Sequence, residues 1–208
     1  MAVNPTSSDP FARPTGLLGR AAGWIMAALN AEMNRLAVEA LALAPDDRVL
    51  EIGFGPGAAL SRVAEHAAVV AGIDPSEAML AEASRRLRSA LAAGRASLAR
   101  GTASSLPWPD GAFTKAYAVN SYQLWSDPAR DLAEVRRVLA PGGVLVLGLR
   151  ARSDVPGARA RRWFDGIAEG PEALEAARAA VRQAGFTEER FEVKPAGWMS
   201  VALLRARR

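Results

Sequence analysis

Five residues define the chemistry open to this chain: Glu51, Gly53, Gly55, Gly57 and Asp74, all within "VLEIGFGPGAALSRVAEHAAVVAGID". Closely spaced glycines after an apolar strand let the chain turn sharply and bring bare backbone up to a ligand. An aspartate ending the next strand can accept hydrogen bonds from both hydroxyls of a ribose. This layout holds a nucleoside-containing cofactor, and two chemistries use it. Gly53, Gly55 and Ala58 fit G-x-G-x-x-G/A, and Asp74 follows roughly 20 residues on, as a dinucleotide for hydride transfer requires. Glu51, Gly53, Gly55 and Gly57 also fit E-x-G-x-G-x-G, a site for the methyl donor S-adenosylmethionine.

Three features favour methyl transfer. Pro56 removes an N–H that would otherwise face a pyrophosphate, which harms a dinucleotide more than a cofactor without phosphate. Glu51, at the strand end, can hold the glycine turn and attract the ammonium of a methionine moiety. After five strands and their helices only about 60 residues remain, and they are needed to finish the sheet. A hydride-transfer enzyme would want a separate substrate domain.

The elements that must position these residues alternate between strand and helix. Strands are predicted at 48–52, 68–73, 96–100, 113–119 and 142–149, and helices at 57–66, 76–93 (closed by Gly94) and 127–140. Asp127 is placed to cap that last helix, with Pro128 in its first turn. A looser region, 150–170, precedes a helix at 171–184 and two strands at 189–195 and 198–206, which should pair antiparallel across their short link. Apolar strands alternating with helices imply a mostly parallel sheet covered on both faces. Before it, residues 1–16 read as an irregular arm and 17–42 as one or two amphipathic helices.

Composition narrows the class. The chain has 208 residues, 50% hydrophobic and 23% charged, the mix of a soluble globular domain. Without cysteine there is no disulfide or thiolate chemistry, and a cytoplasmic setting is expected. The N-terminus lacks the basic start and apolar stretch of a secretion signal. Arg20, Asn30, Glu32, Asn34, Arg35 and Glu39 interrupt the most apolar region, so no transmembrane segment is expected. The net charge of +4 is carried almost wholly by arginine, since Lys115 and Lys194 are the only lysines. Its clusters, 85–88, 159–162 and 205–208, have few aromatics between them and read as solvated surface rather than a nucleic-acid patch. No metal site is expected, and a homodimer is left open.

Over roughly residues 30–208 the chain resembles a class I S-adenosylmethionine-dependent methyltransferase. "VLEIGFGPG" is similar to the first motif of that family and "VAGIDPSEAML" to its ribose motif. The most specific part is "GTASSLPWPDGAFTKAYAVNSYQLWSDPARDLAEVRRVLAPGGVLVLGL", which dinucleotide enzymes do not share. The resemblance implies an α/β, Rossmann-like, seven-stranded sheet, mostly parallel with an antiparallel last strand and helices on both faces. It divides the chain into an N-terminal arm and helical lid, 1–44, and a cofactor-binding methyltransferase domain, 45–208.

It further implies a cofactor site of Glu51, Gly53, Phe54, Gly55, Gly57, Asp74, Pro75, Met79, Thr102, Ala103 and Asn120. Ile73 and Met79 would sandwich the adenine, although Met79 also falls on an apolar helical stripe and can be core. Two positions depart from the family pattern. Thr102 stands where an aspartate usually receives the adenine amino group, so the backbone of Thr102 and Ala103 must share that task. Thr114 stands where the fourth strand usually has aspartate. Ser121, Tyr122 and Trp125 would line the acceptor pocket, with Tyr122 either acid–base catalyst or pocket wall. His66, the sole histidine, ends the first helix and reads as surface or cap.

A sulfonium is an activated methyl donor, so the enzyme mainly aligns an acceptor and excludes water. A small, partly apolar acceptor is expected, under a lid carrying Phe11, Trp24, Ile25 and Met26, with Trp163 and Phe164 as a further wall. Besides the nucleotide-dependent oxidoreductase weighed above, two other readings stay open. In one, the face of Arg20, Trp24 and Ile25 serves a lipid or membrane-surface methyltransferase. In the other, the protein is a non-catalytic cofactor-binding or interaction protein.

Overall fold

The computed structural model describes residues 31–151, 170–196 and 199–208. Its elements are α1 (Ala31–Leu41), β1 (Arg48–Ile52), α2 (Ala58–Val63), β2 (Val69–Asp74), α3 (Glu77–Arg86), α4 (Arg88–Ala92) and β3 (Ala96–Arg100). These are followed by β4 (Phe113–Val119), a 3₁₀ turn (Tyr122–Leu124), α5 (Pro128–Val138), β5 (Leu139–Ala151), α6 (Pro171–Gln183), β6 (Thr187–Ala196) and β7 (Met199–Arg207).

The strands form one seven-stranded sheet in the order β3-β2-β1-β4-β5-β7-β6. β1 to β5 run parallel, whereas β7 is antiparallel to both neighbours, β5 and β6. The α/β, Rossmann-like sheet with an antiparallel last strand is therefore the observed fold. From β1 the chain builds outward through β2 and β3, then returns to the other side of β1 as β4. The carboxyl ends of β1 and β4 thus diverge into a crevice, the usual ligand position in such sheets.

Coverage on both faces explains the apolar strands. Val49, Tyr117, Val119 and Val146 pack with Met33 and Ala37 of α1 and with Leu60 of α2. On the other face Leu50, Ile52, Ala116 and Leu147 pack with Leu132 and Val135 of α5 and Val181 of α6. Asp127 caps α5 by accepting the Arg130 N–H, and Pro128 occupies the first turn, as the sequence indicates.

The boundaries differ from the sequence reading in three places. The first helix ends at Val63 and continues only as turns to His66, which is exposed. The run after Asp74 divides at Leu87, whose φ of −94° and ψ of 11° lie off α-helical values. Finally, β5 starts at Leu139, and residues 140–143 bulge out between the Phe113–Leu139 and Lys115–Val144 pairs. Gly142, at φ 75°, supplies the left-handed residue that this bulge needs. Phe11, Arg20, Trp24, Ile25, Met26, Trp163 and Phe164 lie outside the described residues. Among the described residues, no helix is long and apolar enough to cross a membrane, and no group of three or more His, Asp or Glu could hold a metal ion.

Candidate functional site

The glycine turn follows β1 and forms the β1 side of this crevice. Gly53, Gly55 and Gly57 all have positive φ (78°, 52° and 74°), where a side chain would be strained. Their surroundings separate their roles. A Cβ on Gly53 would fall 2.5 Å from the Cβ of Ser121, and one on Gly57 would fall 2.8 Å from the Cβ of Ala83. A Cβ on Gly55 would meet nothing within 4 Å. Gly53 and Gly57 thus allow close packing, and Gly55 leaves open space above the backbone.

Asp74 braces this turn. Its Oδ2 accepts the Gly55 N–H at 2.9 Å and its Oδ1 accepts the Ser76 N–H at 2.9 Å. A carboxylate has about four lone-pair sites, so each oxygen can take a further donor. Asp74 is buried, and burial raises its carboxyl above the usual range against the pull of those two N–H groups.

Glu51 is buried still more fully, in a strand whose neighbours Leu50 and Ile52 are core residues. Burying such an aliphatic side chain stabilises by about 1.5–3 kcal/mol, whereas burying a carboxyl carries a cost. Register sets Glu51 opposite Gly72 of β2 and Tyr117 of β4. The Tyr117 hydroxyl donates to Glu51 Oε2 at 2.8 Å. Burial pushes the Glu51 carboxyl up to about 8; the Tyr117 bond and the Leu60 N–H of α2 oppose the rise, and nearby Asp74 adds to it. The Leu60 bond also serves α2, whose Gly57 cap has no side chain to offer.

Other residues named from the sequence separate into two groups. Phe54 and Met79 are 3% exposed and belong to the core on the α1–α3 face. Phe54 lies where a Cβ on Gly72 would meet it at 2.6 Å. Pro75 and Thr102 are exposed, and Ala103 is buried. Thr102 Oγ1 lies 2.8 Å from Ser104 Oγ. Across the crevice, Asn120 ends β4 at φ 53°, a left-handed conformation that asparagine tolerates better than most side chains. Its N–H donates to Gly148 at 2.8 Å, and its Oδ1 accepts from Gln123 at 2.7 Å. The Ser121 hydroxyl donates to the Ile52 carbonyl at 2.7 Å and ties the end of β4 to the end of β1. Tyr122 packs against Trp125, with ring centroids 5.2 Å apart.

Tyr117, Ser121 and Gln123 escape a cofactor-site reading of the sequence. Tyr117 looks like an apolar strand position, and only the β1–β4 register makes it the partner of Glu51. The Thr114 departure finds an explanation at the opposite end of the strands. Thr114 Oγ1 donates to Asp47 Oδ1 at 2.7 Å and accepts the Arg48 N–H at 3.0 Å. Asp47, just before β1, thus supplies a carboxylate that the fourth strand lacks.

The two buried acids suit a cation. Glu51 and Asp74 are both buried, and among the described residues no ion pair reaches either one. The ammonium and sulfonium of S-adenosylmethionine would favour the ionised form of both carboxyls, whereas a pyrophosphate would oppose it.

Comparison with known proteins agrees. A methyltransferase-domain family profile matches residues 50–147. The chain is 34% identical over 133 residues to the uncharacterized methyltransferase YdaC of Bacillus subtilis (strain 168), covering 63% of this chain and 71% of YdaC. This protein is a class I S-adenosylmethionine-dependent methyltransferase. The methyltransferase is also 31% identical over 172 residues to the O-methyltransferase resE of Aspergillus sclerotiorum, covering 78% of this chain but 65% of that relative, less than two thirds of its length. Its fold matches the solved structure of a SAM-dependent methyltransferase from Aquifex aeolicus, with a TM-score of 0.70 at 18% identity over 90% of this chain and 97% of the other.

Proposed function

We propose that this methyltransferase moves a methyl group to a small, partly apolar acceptor by in-line displacement, with its cofactor held between the glycine turn and Asp74. The observation that carries this reading is the buried pair of Glu51 and Asp74 at the strand-order reversal, without a basic partner among the described residues. When bound, S-adenosylmethionine supplies an activated methyl group on a sulfonium. The chain's own residues bind, orient and exclude water.

Asp74 receives the ribose hydroxyls on its remaining lone pairs while continuing to brace Gly55 and Ser76. Gly55 leaves backbone open to the methionine portion, and Glu51 offsets the charge of its ammonium. The backbone of Thr102 and Ala103 receives the adenine edge, beside Pro75. Asn120, fixed by Gly148 and Gln123, faces the reacting end, and Tyr122 and Trp125 supply an acceptor wall. A neutral amine, a carboxylate or a thiolate needs no base; for an acceptor that must lose a proton, Tyr122 is the candidate to take it. The segment ahead of α1 serves as the lid in this reading, since α1 itself packs into the core through Met33, Ala37 and Leu41. The O-methyltransferase relative supports an oxygen acceptor within this class.

Calorimetry with S-adenosylmethionine and S-adenosylhomocysteine tests the site. Saturable binding by the wild-type protein, lost in Asp74→Ala, is expected. Undiminished affinity in the variant would move the cofactor away from Asp74.

A further inference from the structure

The role of Tyr117 extends beyond the residues assigned above. Its ring is fully buried in the core on the α1–α3 face, where phenylalanine would pack equally well. A buried hydroxyl must find a partner, and this one donates to the Oε2 of Glu51, at 2.8 Å. Three groups face Glu51. β4 contributes Tyr117, β2 contributes the nearby charge of Asp74, and α2 contributes the Leu60 N–H. Those are the titratable and polar groups facing it among the described residues. Among the described residues, the Tyr117 bond alone fixes the carboxyl from the β4 side, the side of Asn120 and Ser121.

We propose that Tyr117 is a positioning residue for cofactor binding: its hydroxyl holds the Glu51 carboxylate in the orientation that receives the cationic methionine moiety. The inference rests on the assignment of Glu51 to the cofactor site. Tyr117 itself touches no reacting atom. It couples the β4 end of the crevice, where the acceptor lies, to the β1 end, where the cofactor lies. Because a phenol donating to a carboxylate favours the ionised form, Tyr117 also eases the ionisation that burial opposes.

Two measurements test the proposal. The first is a double-mutant cycle on S-adenosylhomocysteine Kd by calorimetry, with Tyr117→Phe, Glu51→Gln and the double variant, checked for folding by circular dichroism. Tyr117→Phe should weaken binding about tenfold in the wild-type background, as expected for a hydrogen bond to a charged group. In the Glu51→Gln background it should cost clearly less. Equal losses in both backgrounds, or no loss at all, would overturn the proposal while leaving the proposed function in place. Failure of the wild-type protein to bind would overturn both.

The second is a ¹³C-carboxyl NMR titration of Glu51 in the ligand-free protein. Tyr117→Phe should move its midpoint upward, a change that packing alone would not produce. An unmoved midpoint would reject the link without recourse to any ligand.

Discussion

Gly57 and Ala83 lie so close that a Cβ on the glycine would fall 2.8 Å from that of the alanine, so α2 and α3 meet across a gap with no room for a methyl group. Gly55, two residues earlier, faces open space. Gly57→Ala should therefore cost about 1–3 kcal/mol for overpacking in addition to about 1–2 kcal/mol for its left-handed backbone. Gly55→Ala carries only the backbone cost, yet should weaken S-adenosylhomocysteine binding by filling the ligand side of the turn. Thermal unfolding and calorimetry on the two variants separate these effects. Equal stability losses would remove the distinction.

The raised carboxyl of Glu51 makes stability depend on pH in a definite direction. Its pKa rises from the ordinary value of 4.5 to about 8 on folding, so the native state binds a proton that the unfolded chain has lost across that window. The associated stability is fully present below about 4.5 and is lost as pH rises through about 8. Glu51→Gln should flatten this dependence in ligand-free protein. A wild-type Tm that rises from about pH 5 to about pH 8, with the rise lost in Glu51→Gln, would contradict it.

Cofactor binding should then release a proton near neutral pH. A cation placed beside Glu51 favours its ionised form, so a carboxyl that is mostly protonated when ligand-free gives up its proton. Binding enthalpies measured in two buffers of different ionisation heat should differ, and the difference should shrink in Glu51→Gln. Identical slopes for both proteins would assign the proton to another group.

At the opposite end of the strands, Asp47 accepts from Thr114 and pairs with Lys115 at 2.6 Å. Burial alone would raise its carboxyl, but the bonds from Lys115, Ala44 and Thr114 together hold it below the usual range. Its contribution is present above the unfolded value of 3.8 and is lost as pH falls through the lower folded value. Thr114→Val should cost about 1–2 kcal/mol at neutral pH, measured by urea unfolding, and less once Asp47 is protonated. A cost that does not change down to acid pH would exclude Asp47 as the partner.

The backbone of this molecule was open to sequence reasoning because the central strands β1, β2 and β4 are short, largely apolar and bounded by turn residues. β3 and β4 fall at the expected residues, and Gly53, Gly55 and Asp74 meet at one crevice. What the sequence leaves hidden depends on register. Tyr117 and Glu51 are 66 residues apart, and no local rule pairs them. The same holds for Thr114 with Asp47 and for Ser121 with Ile52. Met79 and Phe54 show the converse, since an apolar residue near the crevice can serve a core and a ligand wall alike; both pack in the core.

The insertion of β7 between β5 and β6 has a consequence for the order of assembly. Among the described residues β6 pairs with β7 alone, so it has no place in the sheet while β7 is still unmade. A chain emerging from the ribosome can order β1 to β5 first, but β5 then presents an unpaired edge that only the later β7 can cover. Until then the nascent protein carries a sticky margin along Val144–Ala151, an interval in which a chaperone would find its handhold.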